Sequence, residues 1–172
     1  TLPHLHGAQT TLYSDCCPMK IISGGQTGAD RAALDAAIEL GISHGGWLPR
    51  GRKAEDGKVP EYYNLQELAS PGYRDRTEKN ILDSDGTLIV SYGSLTGGSA
   101  LTEALAIRHD RPCLYLNMVD ISLEQAEVAL KKWLDQHSIK ILNVAGPRAS
   151  GEPRIYDTVK KLLVTLNHYD FS

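Results

Sequence analysis

Apolar and polar positions alternate along this chain in a repeating order: a short apolar run, a glycine-rich turn, then a stretch with a period near 3.6. Ile21-Ile22 predicts a strand ending at Ser23, followed by Gly24-Gly25-Gln26-Thr27-Gly28 and a helix over 29–40. That helix is expected to bury Ala33, Leu34, Ala37 and Ile38 and to stop at Gly41, a suitable residue for a left-handed C-terminal turn. A second strand is expected near Gly46-Trp47-Leu48. The polar segment 49–74 holds one short apolar piece, Tyr62 to Leu68, and is long enough to be a functional loop.

Asp75-x-x-Glu78 reads as a capping box opening a helix that runs to about Ser84. Thr87-Leu88-Ile89-Val90 is the clearest strand; Gly93-Ser94-Leu95-Thr96-Gly97-Gly98 and a helix over 99–109 follow it. Cys113 to Leu116 predicts a fourth strand, and Ser122-x-x-Gln125 a second capping box before a helix carrying Leu123, Ala126, Leu130, Trp133 and Leu134. The fifth strand is expected over Ile139 to Val144, ending at Ala145-Gly146-Pro147-Arg148. A final helix shows Ile155, Val159, Leu162, Leu163 and Leu166 on one stripe.

Strand and helix alternating five times, with no Asn-Gly hairpin signals between strands, predict an α/β, Rossmann-like single domain over 19–172: a parallel sheet of about five strands with helices on both faces. Residues 1–18 show no apolar periodicity and read as an N-terminal tail or extension.

In a parallel sheet the carboxyl ends of the strands share one edge, where ligands sit. The loops after strands one, three and five, namely Gly24 to Gly28, Gly93 to Gly98 and Gly146 to Gly151, are each expected to run into a helix N-terminus on that rim. A helix N-terminus offers unpaired N–H groups and partial positive charge, and glycine permits close approach of a phosphate. None of the loops is a P-loop or Gly-x-Gly-x-x-Gly, which disfavours a standard ATP or NAD site. The three loops together predict an anion site.

Charge and composition narrow the partners. The 172 residues carry 18 basic and 21 acidic side chains, a net charge of −3, without the excess that binding a nucleic-acid backbone needs. The longest apolar runs fall far short of the ~18 residues that cross a bilayer, so no membrane contact is expected. Three cysteines, Cys16, Cys17 and Cys113, give neither a disulfide framework nor a metal spacing and fit a reducing, cytoplasmic setting. The six histidines lack the spacing of a zinc site, so no metal ligands are assigned.

Around the rim, Arg31 in a helix first turn and Arg148 just ahead of another are placed where a cation is unfavourable unless an anion lies between them. Alternatively, Arg31 pairs with Asp30 or Asp35 and Ser150 is only a helix cap. Asp30 itself suits a helix N-terminus for structural reasons. Ser99, Thr102, Glu103 and Ala106 are expected to face away from the core, with Glu103 either catalytic or merely solvated. Arg74, Arg76, Thr77, Asn80 and Asp83 form a polar helix face. Lys53, in a basic loop, is within reach of the rim or solvated.

Several stretches together, Ile21 to Arg31, Gly45-Gly46-Trp47, Gly51 to Gly57, Arg76-Thr77 with Asn80, Asp83 to Ile89, and Thr96-Gly97-Gly98, resemble the molybdenum carrier protein family over residue 19 to the C-terminus. The resemblance implies a Rossmann-like fold, a homo-oligomer (dimer or tetramer), and binding of molybdenum cofactor, a phosphorylated pyranopterin. It places cofactor contacts on Gly24, Gly25, Gln26, Thr27, Gly28, Arg31, Lys53, Arg76, Thr77, Asn80, Gly97, Gly98, Ser99, Thr102, Gly146, Pro147, Arg148 and Ser150.

The family is a distant relative of the lonely-guy phosphoribohydrolases, whose motif is Pro-Gly-Gly-x-Gly-Thr-x-x-Glu. Here the stretch runs Thr96-Gly97-Gly98-Ser99-Ala100-Leu101-Thr102-Glu103-Ala104, with Ala104 where the acid would fall and Glu103 one position early. The expectation is therefore a binding and carrier protein for a phosphorylated small molecule. The alternatives are a nucleoside-monophosphate phosphoribohydrolase using Glu103, and a nucleotide-sensing module.

Overall fold

The computed structural model describes residues 19–168; the expected tail over 1–18, with Cys16 and Cys17, lies outside them. In chain order the elements are β1 Lys20–Ile22, α1 Ala29–Leu40, β2 Ser43–Gly45, β3 Trp47–Leu48, β4 Lys53–Ala54, β5 Gly57–Lys58, β6 Gln66–Glu67 and α2 Tyr73–Leu82. They continue with β7 Gly86–Ser91, α3 Gly97–Arg108, β8 Cys113–Asn117, α4 Leu123–Gln136, β9 Ile141–Ala145 and α5 Ile155–Val164, closed by a 3-10 turn, Thr165–His168. Five strands form one parallel sheet in the order β2-β1-β9-β7-β8. The chain winds outward from β1 to β2 and, separately, from β7 to β8, and its last strand fills the gap between the two pairs.

Helices cover both faces. On one, α1, α4 and α5 close over Ile21, Leu88, Val90, Leu142 and Val144; on the other, Ile81 of α2 packs with Leu105 and Ala106 of α3. The stripe on α5 is fully buried at Ile155, Val159, Leu162 and Leu163, each worth about 1.5–3 kcal/mol of apolar burial. Both halves of the Ser122–Gln125 capping box form, and Gly41 ends α1 in the left-handed conformation.

Five expectations need correction. The sheet strand after α1 is Ser43–Gly45, whereas Trp47–Leu48 pairs with Gln66–Glu67 in a separate parallel ribbon. The reason is Asn80: its Oδ1 accepts from Trp47 N at 2.8 Å and its Nδ2 donates to Trp47 O at 3.0 Å, supplying the pairing a sheet neighbour would give. The capping box at 75–78 does not form, because α2 begins at Tyr73 with Gly72 as its cap and Asp75 accepts instead from the Ser70 hydroxyl. Ile38 is 47% exposed, on the outer side of α1. The fifth strand starts at Ile141, since Asp85 Oδ2 takes the Lys140 and Ile141 amides and fixes the entry to the sheet. Finally, Ser99, Thr102 and Ala106, expected to face away from the core, are buried along with Leu105, while Ala104 is exposed, so α3 is covered on more than one side.

Candidate functional site

Because β1, β9 and β7 are adjacent, the loops that leave their carboxyl ends meet at one edge of the sheet. They enclose a cavity of about 470 Å³, within the range of small-molecule sites. Gly24 and Gln26 line it from the first loop, Gly146, Pro147 and Arg148 from the last, and Gly97, Gly98, Ser99 and Thr102 from the start of α3. Arg76, Thr77 and Asn80 reach it from α2.

The three loops do not offer three equal helix ends. At α1 the position is already filled: Ala29 N donates to the Pro147 carbonyl at 3.2 Å, and the Asp30 carboxylate takes the Gln26 amide at 3.3 Å. Gly28 makes this approach possible, since it holds a φ of 79° and a Cβ there would collide with the Pro147–Ala149 backbone. After β9 the chain makes turns from residue 149 and becomes helical only at Ile155, capped by Arg154. That leaves α3. Its cap, Thr96, accepts no side-chain capping bond, and Gly97 and Gly98 have open space where a side chain would stand.

Six of the candidate contacts lie elsewhere. Arg31 is held by both oxygens of Asp56, at 3.0 and 3.1 Å, and by the Gly25 carbonyl, rather than by Asp30 or Asp35. Asp35 instead receives the hydroxyls of Tyr63 and Tyr156. Gly25 packs beside Leu48 and Leu65. Lys53 is exposed on β4, paired across the ribbon with Lys58. Thr27 and Ser150 both donate hydroxyls to Glu55, and Gly28 is committed to the Pro147 contact described above. Glu103 lies on α3 outside the cavity lining.

Glu55 ties the β4–β5 hairpin across the first and last loops. It accepts from Ser150 N at 3.1 Å and Ser150 Oγ at 2.5 Å, and these bonds, with that of Thr27, hold its carboxyl below the usual glutamate range. Arg148 stands 4.0 Å from it, its side chain half exposed, leaving the guanidinium accessible at the cavity wall.

Deeper in, Arg76 is buried and donates to the Gly24 carbonyl. Burial pulls its guanidinium below the usual arginine range, against the opposing pull of Asp30. Burial likewise pushes Asp30 up to about 6, in spite of the fields of Arg76, Arg31 and Arg148. Asp30, Tyr92, Asn143 and Glu152 all line the cavity, though none was expected to contact a ligand. Asn143 had a signal in the sequence, a polar residue inside the apolar run Ile141 to Val144; it is buried and donates to Thr87 Oγ1 at 3.2 Å. Glu152 is held down to about 2 by Arg154. Among the described residues no three histidine, cysteine, aspartate or glutamate side chains gather as a metal site, and no helix is long and apolar enough to cross a membrane.

Residues 21–167 match the model of the circularly permutated YpsA SLOG family. The chain belongs to that family. A crystal structure described as "Putative molybdenum carrier protein" from Syntrophus aciditrophicus SB is 56% identical, superposes with a TM-score of 0.85, and is covered over 95% of its length by 87% of this chain. The resemblance drawn from the sequence is thus supported by an independent structural likeness. Comparison with curated proteins gave no match.

Proposed function

We propose that this SLOG-family chain binds a phosphorylated small molecule in the cavity and carries it without turning it over, the cargo being molybdenum cofactor. The observation that carries the reading is the free N-terminus of α3: an uncapped first turn with two glycines in open space, on a cavity wall shared with the accessible guanidinium of Arg148. First-turn amides and the helix dipole favour an anion there, and a guanidinium adds a charge-assisted bond. The cavity volume suits a pterin-sized ligand, and the description of the 56% identical protein as a molybdenum carrier supports the choice of cargo.

Anaerobic titration of the purified cofactor into wild type and Arg148→Ala, with circular dichroism as the folding control, tests this. A charge-assisted contact is worth about 1.5–3 kcal/mol, so the variant is expected to bind about ten- to a hundredfold more weakly while remaining folded. Equal affinities in two folded proteins overturn the assignment.

A second reading, cleavage of an N-glycosidic bond in a nucleoside 5′-monophosphate, is favoured by one observation: the cavity holds a carboxylate with a raised pKa, although it is Asp30 and not Glu103. Chromatographic detection of released base, abolished in Asp30→Asn, would replace the carrier reading with this one.

A further inference from the structure

Gln26 is 6% exposed, and its side-chain amide is half satisfied. Its Oε1 accepts from Thr27 N at 3.0 Å and from Glu55 N at 2.8 Å, which fixes the two ends of the amide; its Nε2 has no partner among the described residues. Leaving a buried donor unmade is costly, and a native site that does so has a use for it. Four residues on, Asp30 shows a complementary deficit. It is 9% exposed, and among the described residues its carboxylate accepts one hydrogen bond, the 3.3 Å contact from Gln26 N, with neither Arg76 nor Arg148 in an ion pair with it. A buried carboxylate ordinarily gathers several donors. Both residues line the cavity, one with a donor to spare and the other with acceptors.

We propose, on the reading that the cavity holds a phosphorylated ring compound, that Gln26 and Asp30 select its ring: Gln26 Nε2 donates to a ring carbonyl while Asp30 accepts from the neighbouring ring N–H and exocyclic amine. The edge that presents this acceptor-donor-donor order is the 2-amino-4-oxo edge shared by pterins and guanine. A 2,4-dioxo ring sets a carbonyl against the Asp30 carboxylate, and a 6-aminopurine reverses the order at Gln26; both are repelled rather than merely bound less well. The phosphate end of such a ligand is served by α3 and Arg148, so the two ends of the cavity do separate work.

Fluorescence titration of the full chain separates the contributions, using 6-hydroxymethylpterin monophosphate, its lumazine counterpart with a 2-oxo group, GMP, AMP, and inorganic phosphate as competitor. The pterin phosphate is expected to bind about ten- to a hundredfold more tightly than the lumazine phosphate, as a paired donor-acceptor contact discriminates. GMP is expected to exceed AMP in the same sense, and the tighter of pterin phosphate and GMP identifies the source of the ring. Asp30→Asn should bring the pterin-to-lumazine ratio below about threefold while sparing competition by inorganic phosphate. Gln26→Glu, which keeps the acceptor for both amides and loses the donor, should also weaken the pterin phosphate. A wild-type ratio near one, or a ratio unchanged in Asp30→Asn, overturns the ring assignment and, if binding still responds to Arg148→Ala, leaves the carrier reading standing. Failure of every phosphorylated ring compound to bind overturns both.

Discussion

Arg76 donates to the carbonyl of Gly24 through the volume that a Cβ on residue 24 would fill. The two residues are 52 positions apart, and the contact anchors α2 to the loop after β1. Gly24→Ala would overlap a guanidinium that is buried and has little room to retreat. Overpacking of this kind costs about 1–3 kcal/mol, so the variant is expected to melt several degrees below wild type and to bind the cavity ligand more weakly. Thermal denaturation beside a ligand titration checks both, and an unchanged melting temperature would count against the contact.

Folding raises the proton affinity of Asp30 from an ordinary 3.8 to about 6. Between those values the folded chain holds a proton that the unfolded chain has lost, so this residue's contribution is full below about pH 4 and is lost as the pH rises to 6. At neutral pH the buried charge costs up to about 3 kcal/mol. Asn keeps an acceptor for Gln26 N and carries no charge. Asp30→Asn is therefore expected to be more stable than wild type at pH 7.5 and to lose that advantage near pH 4, as read from melting curves at the two values.

The two arginines expected to share an anion should behave differently. Arg31 is engaged by Asp56 and the Gly25 carbonyl, and half-exposed Asp56 weakens the worth of the pair to about 1 kcal/mol. Arg31→Ala should lower stability by that amount and leave competition by inorganic phosphate within threefold of wild type. A loss as large as that of Arg148→Ala would return Arg31 to the site.

Glu55 joins the hairpin to two loops through Thr27 and Ser150. In Glu55→Ala the Ser150 amide loses its acceptor, and Thr27 is no longer held against Ala149 N. Hydrogen exchange followed by mass spectrometry should show faster exchange over 26–28 and 148–151, with rates in α4 unchanged.

Much of this architecture was legible in the residues. Helix α1 runs from Ala29 to Leu40 as its spacing implies, because an apolar stripe and a terminal glycine act within one element. The three glycine-rich loops could be placed on one edge because parallel winding forces it. What escaped were contacts made by side chains from distant segments. Asn80 takes over the backbone of Trp47, Asp56 takes Arg31, and Pro147 fills the N-terminus of α1, none of which leaves a periodic trace. An acid in a helix first turn, like Asp30, is common for structural reasons alone; its place in the field of Arg76 depends on α2, and the two residues are 46 positions apart. The burial of Ser99 and Thr102 leaves no trace in the sequence, because α3 is apolar on more than one side and its stripe does not name the core.

The position of β9 has a consequence for synthesis. Ile21 pairs with Leu142 and Leu88 with Val144, so the two outer pairs of strands have no direct ladder to each other and are joined in the sheet by a strand made about 120 residues after β1. At 5–20 residues per second, β1 waits on the order of ten seconds for its partner. During that interval the emerging chain exposes open edges on β1 and β7, the surfaces by which strands of neighbouring nascent chains pair. Nascent chains crowded on one messenger are therefore the population most exposed to mispairing, and the ribosome's pace sets the earliest moment at which the cavity exists.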